Sequence, residues 1–341
     1  MVAGEKGRPA VSTVFFGGGT PSMLSPEEIG GIIARLKEFY EFAPDVEITM
    51  ECNPGALNRE WLEGYRAAGI NRLSFGVQSF DDDELRFLTR IHTAEEAERN
   101  IRLVRSVFDN VSLDLIFALP GQRLEGWMEN LRRGVDLGTD HISAYALIFE
   151  EGTPLNAMRL KGRVAPAEND LEGEMYERTV EYLASAGLAQ YETSNYARPG
   201  FACRHNIAYW ERRPYDAFGP SAHSFSNEAE YGVRRANVSS LSAWLTALES
   251  DSSPVVSVER LTRIEAIEEI VLLGLRYSGI DLRMLEPVAG GELQGVAPRT
   301  VGMMLDQGYA AMTPERLILT GEGSIFADRL ALEIVREIEG S

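Results

Sequence analysis

Up to about residue 190, the chain alternates short apolar runs with longer stretches in which apolar residues recur every three or four positions. The runs at 11–16, 46–51, 72–77, 111–119 and 141–148 have the length and composition of buried strands, and a weaker sixth lies at 188–191. Helix starts are legible between them. In "SPEE" at 25–28, Ser25 is placed as N-cap, Pro26 as the first helical residue and Glu28 as the returning carboxylate of a capping box. "TAEE" at 93–96 repeats the box before a helix reaching about residue 107. Further helices are predicted over 59–68, 124–137 and 168–186. Strand–helix alternation at this spacing predicts a parallel sheet with helices packed outside it. Five or six such units, none followed by GxGxxG, favour a complete or partial TIM-type (β/α)6 barrel over a Rossmann sheet.

The pattern then changes. Residues 226–258 are Ser-rich and read as a connecting region with one short helix. An amphipathic helix follows over 258–277, then a helix at about 300–307, a hairpin-like "ERLILTGEGSI" and a last helix. This order predicts a small winged-helix-like α+β domain over 259–341, behind a barrel portion over 1–225.

With 341 residues, 44% hydrophobic and 25% charged, the chain is an ordinary globular one that can bury a sizeable core unaided. Its formal charge of −19, from 52 acidic and 33 basic side chains, disfavours a nucleic-acid partner. Acids also outnumber bases in the winged-helix-like segment, so a structural or lid role is expected there rather than DNA binding. No apolar run approaches the ~20 residues of a membrane span, and "VAGEKGRPA" after Met1 lacks a signal-peptide core. Two cysteines, Cys52 and Cys203, give no disulfide framework and fit a reducing, cytoplasmic setting.

Parallel barrels bind ligands at the carboxyl ends of their strands. Those ends carry Gly17-Gly18-Gly19-Thr20, then "ECNP" with Glu51, then Gly76 and Gln78 of "FGVQSF". They continue with "LPGQ" at 119–122, and Tyr145 and Ala146 before "FEEGTPL". The glycines could simply form a tight turn, and Glu51 could be a solvated strand end. Asp114, a carboxylate between Leu113 and Leu115, needs partners or a ligand. A second cluster, at 191–225, offers His205, Asn206, Tyr209 and Trp210, which suit either a flat aromatic cofactor or a core loop beneath the mouth. Cys203 and His205 alone are too few ligands for zinc.

"FFGGGTPS", "ECNP", "RLSFGVQSFDDDELRFLTRIH", "LDLIFALPGQ", "HISAYALIFEEGTPL" and "SNYARPGFACRHNIAYW" occur in that order across nearly the whole chain. They resemble the coproporphyrinogen-oxidase-like branch of the radical S-adenosylmethionine (SAM) proteins, and within it the haem-chaperone group. The resemblance implies a six-unit barrel with a [4Fe–4S] cluster on a CxxxCxxC loop and SAM on the cluster's fourth iron. It assigns SAM contacts to Gly17, Gly18, Gly19, Thr20, Glu51, Gln78, Arg90, Asp114 and Ala146. The H-N-x-x-Y-W signature implies haem binding, with His205 as the candidate iron ligand. Haem and an acceptor protein are the implied partners.

The sequence departs from the family where the cluster should be. No CxxxCxxC is present, and two cysteines 151 positions apart cannot supply three thiolates. Ala217 and Ser221 also stand where relatives usually place glycines. The expectation is a barrel lacking its first β/α unit, with 11–16 as an edge strand and the cluster motif encoded upstream. A cluster-free haem-binding remnant and an oxygen-independent coproporphyrinogen III oxidase are the alternative functions. The HNxxYW signature argues for the chaperone over the oxidase.

Overall fold

A computed structural model describes residues 8–55, 57–324 and 326–340. The chain falls into two compact units, Met1–His205 and Asn206–Ser341. In the first, β1 (Ala10–Phe16), α1 (Pro26–Phe39), β2 (Glu41–Cys52), α2 (Arg59–Ala68) and β3 (Arg72–Gln78) realise the expected alternation. It continues through α3 (Asp82–Phe87), α4 (Ala94–Arg105), β4 (Val111–Phe117), α5 (Leu124–Asp136) and β5 (His141–Ala146). Then come α6 (Pro154–Leu160), α7 (Asn169–Ser185), β6 (Ala189–Glu192), β7 (Asn195–Ala197) and the start of α8 (Arg204–Trp210).

These strands form one seven-stranded sheet, ordered β1-β2-β3-β4-β5-β7-β6, in which β1 to β5 pair in parallel. This is the mixed α/β barrel class expected, with β1 at one end of the sheet. The predicted sixth strand is resolved into a hairpin. β7 folds back antiparallel to β6 and takes the place beside β5, so β6 is displaced to the sheet's far end.

Local chemistry sets the element ends. Both predicted capping boxes form, at Ser25/Glu28 and Thr93/Glu96. The Asn58 side chain accepts from the Trp61 N–H at 2.8 Å to start α2, and Gly69 ends it at φ 114, where a side chain would be strained. Two strands are shorter than expected: β4 stops at Phe117, where Ala118 turns to φ 57, and β5 stops at Ala146. β2 is longer, because Glu41 and Phe42 pair with Ala10 and Val11 of β1 ahead of a register shift, although Pro44 interrupts any strand signal there.

The two faces of the sheet differ. Ile48, Met50, Leu73, Phe75, Leu113, Leu115 and Ile142 face the helices and pack with Ile29, Leu62, Tyr65, Ile101 and Trp127 in one apolar core. The Trp127 indole N–H donates to Thr179 Oγ1 at 2.8 Å, tying α5 to α7. Alternate positions on the same strands point away from that core and are mostly polar.

The second unit opens with a three-stranded antiparallel sheet of β8 (His223–Ser226), β9 (Val233–Asn237) and β10 (Val255–Arg260), with α9 (Leu241–Glu249) between the last two. Strands thus occupy part of the region read as connecting, and β10 takes the residues read as the first turn of the long helix. That helix, α10 (Arg263–Arg276), starts at its own Thr262/Glu265 capping box. It is followed by β11 (Ile280–Asp281), α11 (Leu282–Ala289), α12 (Leu293–Val296), α13 (Pro298–Asp306), β12 (Ala310–Met312) and β13 (Arg316–Leu319). α14 (Gly321–Ser324) and α15 (Ala327–Glu339) complete it. The expected hairpin exists, but its first strand is β12; "GEGS" forms α14 instead of a return strand. β11, β13 and β12 make a small sheet over a core of α10, α11, α13 and α15.

Candidate functional site

The carboxyl ends of β1 to β5 gather most of the sequence-nominated residues. After β1, Gly18 and Gly19 take φ 76 and 60, values that favour glycine, and release a turn into Thr20. The Gly18 N–H donates to Glu51 Oε2 at 3.2 Å, and Asn53 Nδ2 donates to Thr20 Oγ1 at 3.3 Å. Gly17 is required for a different reason: a Cβ there would lie 2.7 Å from the Phe15 ring and 3.3 Å from the Glu51 carboxyl carbon. Gln78 ends β3 at φ 72, and its amide folds back over Gly76, where a Cβ would strike Gln78 Nε2 at 2.9 Å. Ala146 closes β5 opposite Phe117.

Asp114 stands one level lower on β4. Ser74 Oγ donates to its Oδ1 at 3.2 Å, and Ser143 bonds it from β5. Burial is the main cause holding the Asp114 carboxyl above its ordinary range, against those bonds and the charges of Arg72 and Arg90. Glu51 is also raised, by burial and by the Asp114 charge, with the Gly18 bond opposing. Burial lowers Arg90, whose Nε is buried without a hydrogen-bond partner. Two carboxylates and one guanidinium with an unsatisfied donor thus meet at this mouth. They suit a ligand carrying both a cation and an anion, and so fit the ammonium, sulfonium and carboxylate of SAM.

Below the mouth the inward face stays polar: Glu47 and Thr49 on β2, Arg72 and Ser74 on β3, Ser112 on β4, and His141 and Ser143 on β5, all buried. A hydrogen-bonded run crosses the floor, from Ser112 Oγ to His141 Nδ1 at 2.7 Å and from His141 Nε2 to the Tyr191 hydroxyl at 2.8 Å. Burial, then the Arg72 charge, drives His141 well below its usual pKa, so it is neutral.

His205 belongs to this lower level. Its Nδ1 lies 2.9 Å from Thr13 Oγ1, and its ring stacks on Phe15 at 5.0 Å. Glu47 fixes the backbone there: the Arg204 N–H donates to its Oε2 and the His205 N–H to its Oε1, both at 3.0 Å, and Cys203 Sγ lies 3.6 Å from Oε1. Burial lowers the His205 pKa, opposed by the Glu47 charge and assisted by that of Arg72. Thr13 and Glu47 each precede a mouth residue, Gly17 and Glu51, by four positions. At ~3.3 Å per strand residue, that separates His205 from the mouth by about 13 Å. The structure therefore brings the nominated mouth residues together and sets His205 apart from them.

Below the strand ends, sequence reasoning nominated Asp114 alone among the inward strand residues. Glu47, Thr49, Arg72, Ser74, Ser112 and His141 went unnoticed. Their signal was a polar residue at every second position inside apolar strands, which marks a strand face turned toward something other than hydrocarbon. A second network was also missed. Ser79 Oγ and Asn130 Nδ2 donate to Glu84 Oε2 at 2.5 and 3.0 Å, and Gln122 Nε2 donates to Oε1 at 3.0 Å. Glu84 thereby joins the loops that follow β3 and β4.

The donor set does not fit a [4Fe–4S] cluster. Both cysteines are buried; Cys52 lies in the apolar core, where burial pushes its thiol up, and Cys203 faces Glu47. Among the described residues no three His, Cys, Asp or Glu side chains group as metal ligands, and no helix is long and apolar enough to cross a membrane.

Comparison with known proteins agrees with this architecture. The radical SAM superfamily signature matches residues 2–133. The chain is 32% identical to a protein named heme chaperone HemW from Bacillus subtilis, over 96% of this chain and 86% of that protein. It is 34% identical to the mouse mitochondrial protein named radical S-adenosyl methionine domain-containing protein 1, over 96% and 76% of the two chains. Among solved structures, the coproporphyrinogen III oxidase HemN of Escherichia coli superposes with a TM-score of 0.77 at 20% identity, covering 95% of this chain and 78% of that one. On its fold and on its identity to relatives matched over most of their length, the chain belongs to the HemW-like, coproporphyrinogen-oxidase-like family of radical SAM proteins.

Proposed function

We propose that this chain binds haem and passes it to an acceptor protein, with SAM held at the barrel mouth. What carries this reading is its relationship, across 96% of its length, to a protein named for haem chaperoning. The geometry supports it at two levels. His205 is a neutral imidazole whose Nδ1 is already held by Thr13, the state in which a histidine ligates iron. The mouth offers Glu51 and Asp114 to the cationic centres of SAM, Arg90 to its carboxylate, and the backbone of Gly17, Gly18, Gly19 and Thr20 to its amino-acid portion. Gln78 and Ala146 would border the rest of the ligand. When bound, SAM would supply its sulfonium-linked chemistry; the residues of this chain orient and desolvate it.

Haem titration of the purified chain tests the first level. His205→Ala is expected to weaken haem binding at least tenfold and to shift the Soret band. An unchanged Soret band would remove His205 from the site. Calorimetry with SAM tests the second. Glu51→Gln and Asp114→Asn should each weaken binding, and absence of any heat with the unaltered chain would overturn the mouth assignment.

The HNxxYW residues His205, Asn206, Tyr209 and Trp210, with the relationship to a protein named for haem chaperoning, favour this reading over an oxidase one. Anaerobic incubation with coproporphyrinogen III and SAM should leave the substrate unchanged. Its conversion would make the chain an oxidase instead.

A further inference from the structure

The least explained group in the barrel is Arg72. It opens β3 at a position only 2% exposed, on the inward face. Its Nε is buried without a hydrogen-bond partner, and among the described residues its guanidinium forms no ion pair. Its charge reaches Asp114 and His141, and its register partner Thr49 lies between Glu47 and Glu51 on β2, which places it between the His205 level and the mouth. None of them satisfies it. Asp114 is bonded to Ser74 and Ser143, and it also faces Arg90. His141 is bonded on both ring nitrogens, and Glu47 is occupied by the backbone of Arg204 and His205.

An unpaired buried guanidinium is costly, so a counter-charge arriving from outside would stabilise it. The neighbouring strand carries a second unsatisfied group. Thr49 is the register partner of Arg72 on β2, is fully buried, and its Oγ1 also lacks a hydrogen-bond partner. A guanidinium fork beside a free hydroxyl donor matches a carboxylate, which accepts two parallel N–H bonds and one O–H bond in a plane. A phosphate would bring more charge than one guanidinium offsets, and Glu47 and Asp114 nearby would repel the excess.

We propose that Arg72 and Thr49 form a carboxylate-binding site in the barrel interior. Resting on the haem reading above, the carboxylate is a propionate arm of the tetrapyrrole. Phe15, whose ring stacks on His205, is the register partner of Thr49, and Thr49 is that of Arg72, so one porphyrin spans both the ring ligand and the anion site.

The test compares haem with its dimethyl ester, in which both propionates are blocked, on the unaltered chain, Arg72→Met and Arg72→Lys. The unaltered chain should prefer haem over the ester at least tenfold. Arg72→Met should lose that preference, and Arg72→Lys should recover part of it. If Arg72→Met still discriminates as the unaltered chain does, the site is refuted. A second measurement does not depend on haem: the thermal midpoint in sodium propionate against sodium chloride at equal ionic strength. Propionate should raise the midpoint of the unaltered chain and leave Arg72→Met unmoved. If the chain binds neither porphyrin but propionate protects it through Arg72, the haem reading falls and the carboxylate site stands. Equal protection of both proteins, or of neither, overturns the site. Folding is not the limiting factor, since losing an unpaired buried charge should raise the ligand-free midpoint of Arg72→Met.

Discussion

Replacing Glu47 with alanine should unfasten the segment that carries His205. The side chain is 6% exposed, and its two oxygens accept the Arg204 and His205 N–H groups at 3.0 Å each. Arg204 itself sends its guanidinium to Asp45, so Glu47 is balanced by backbone dipoles and not by a cation. Alanine leaves both N–H groups buried without acceptors. Charge-assisted bonds of this kind are worth roughly 1.5 kcal/mol or more each, so the loss should be about 3 kcal/mol. Relief of the buried carboxylate works in the opposite direction, and Glu47→Gln separates the two effects. It removes the charge but keeps one accepting oxygen, so it should cost about half as much as alanine. Asp45→Ala is the control: that carboxylate is 77% exposed, and its pair with Arg204 should be worth less than about 1 kcal/mol. Urea unfolding gives the stabilities, and amide exchange at Arg204 and His205 reports the local effect. A Glu47→Ala protein within about 1 kcal/mol of the unaltered chain, with both amides still protected, would refute the reasoning.

Three further outcomes follow from the same interior. His141 is held neutral well below its usual pKa, so the unfolded chain binds its proton first as pH falls. Stability should therefore drop below about pH 6.5, with this residue contributing up to ~1.4 kcal/mol per pH unit, and His141→Gln should flatten that slope; an unchanged slope would count against it. Burial raises Glu51 and Asp114 in the ligand-free mouth, so at a pH below their titration a cationic ligand has to displace protons. SAM binding should tighten as pH rises through their titration and release protons measurable in buffers of different ionisation enthalpy; pH-independent binding would contradict this. Glu84→Ala would leave Ser79, Asn130 and Gln122 without their shared acceptor, at a cost of about 3 kcal/mol, and should weaken SAM binding through the Gln78 loop. A purely global destabilisation with normal SAM affinity would limit Glu84 to a structural role.

Much of the first unit was legible from short-range chemistry. Ser25, Thr93 and the apolar runs mark elements whose ends depend on neighbours a few residues away, and those elements form as read. The mouth was legible too, because glycines and amides at strand ends are local exceptions to local patterns. The errors fall where partners are distant in sequence. Residues 41–45 join β2 only because Glu41 and Phe42 pair with β1, and "GEGS" has no strand role because Ala310–Met312 pairs with β13.

The sequence alone determined the strand–helix alternation, the acidic balance, the shortage of thiols and the family motifs, since each is a property of composition or of near neighbours. Tertiary structure decided which residues share the interior. Thr49 and Arg72 are 23 positions apart and meet through sheet register; Glu47 and His205 are 158 apart and meet through a hydrogen bond. Whether a buried charge is satisfied depends on everything that surrounds it after folding, and so Arg72 looked ordinary in the sequence and stands unpaired in the fold.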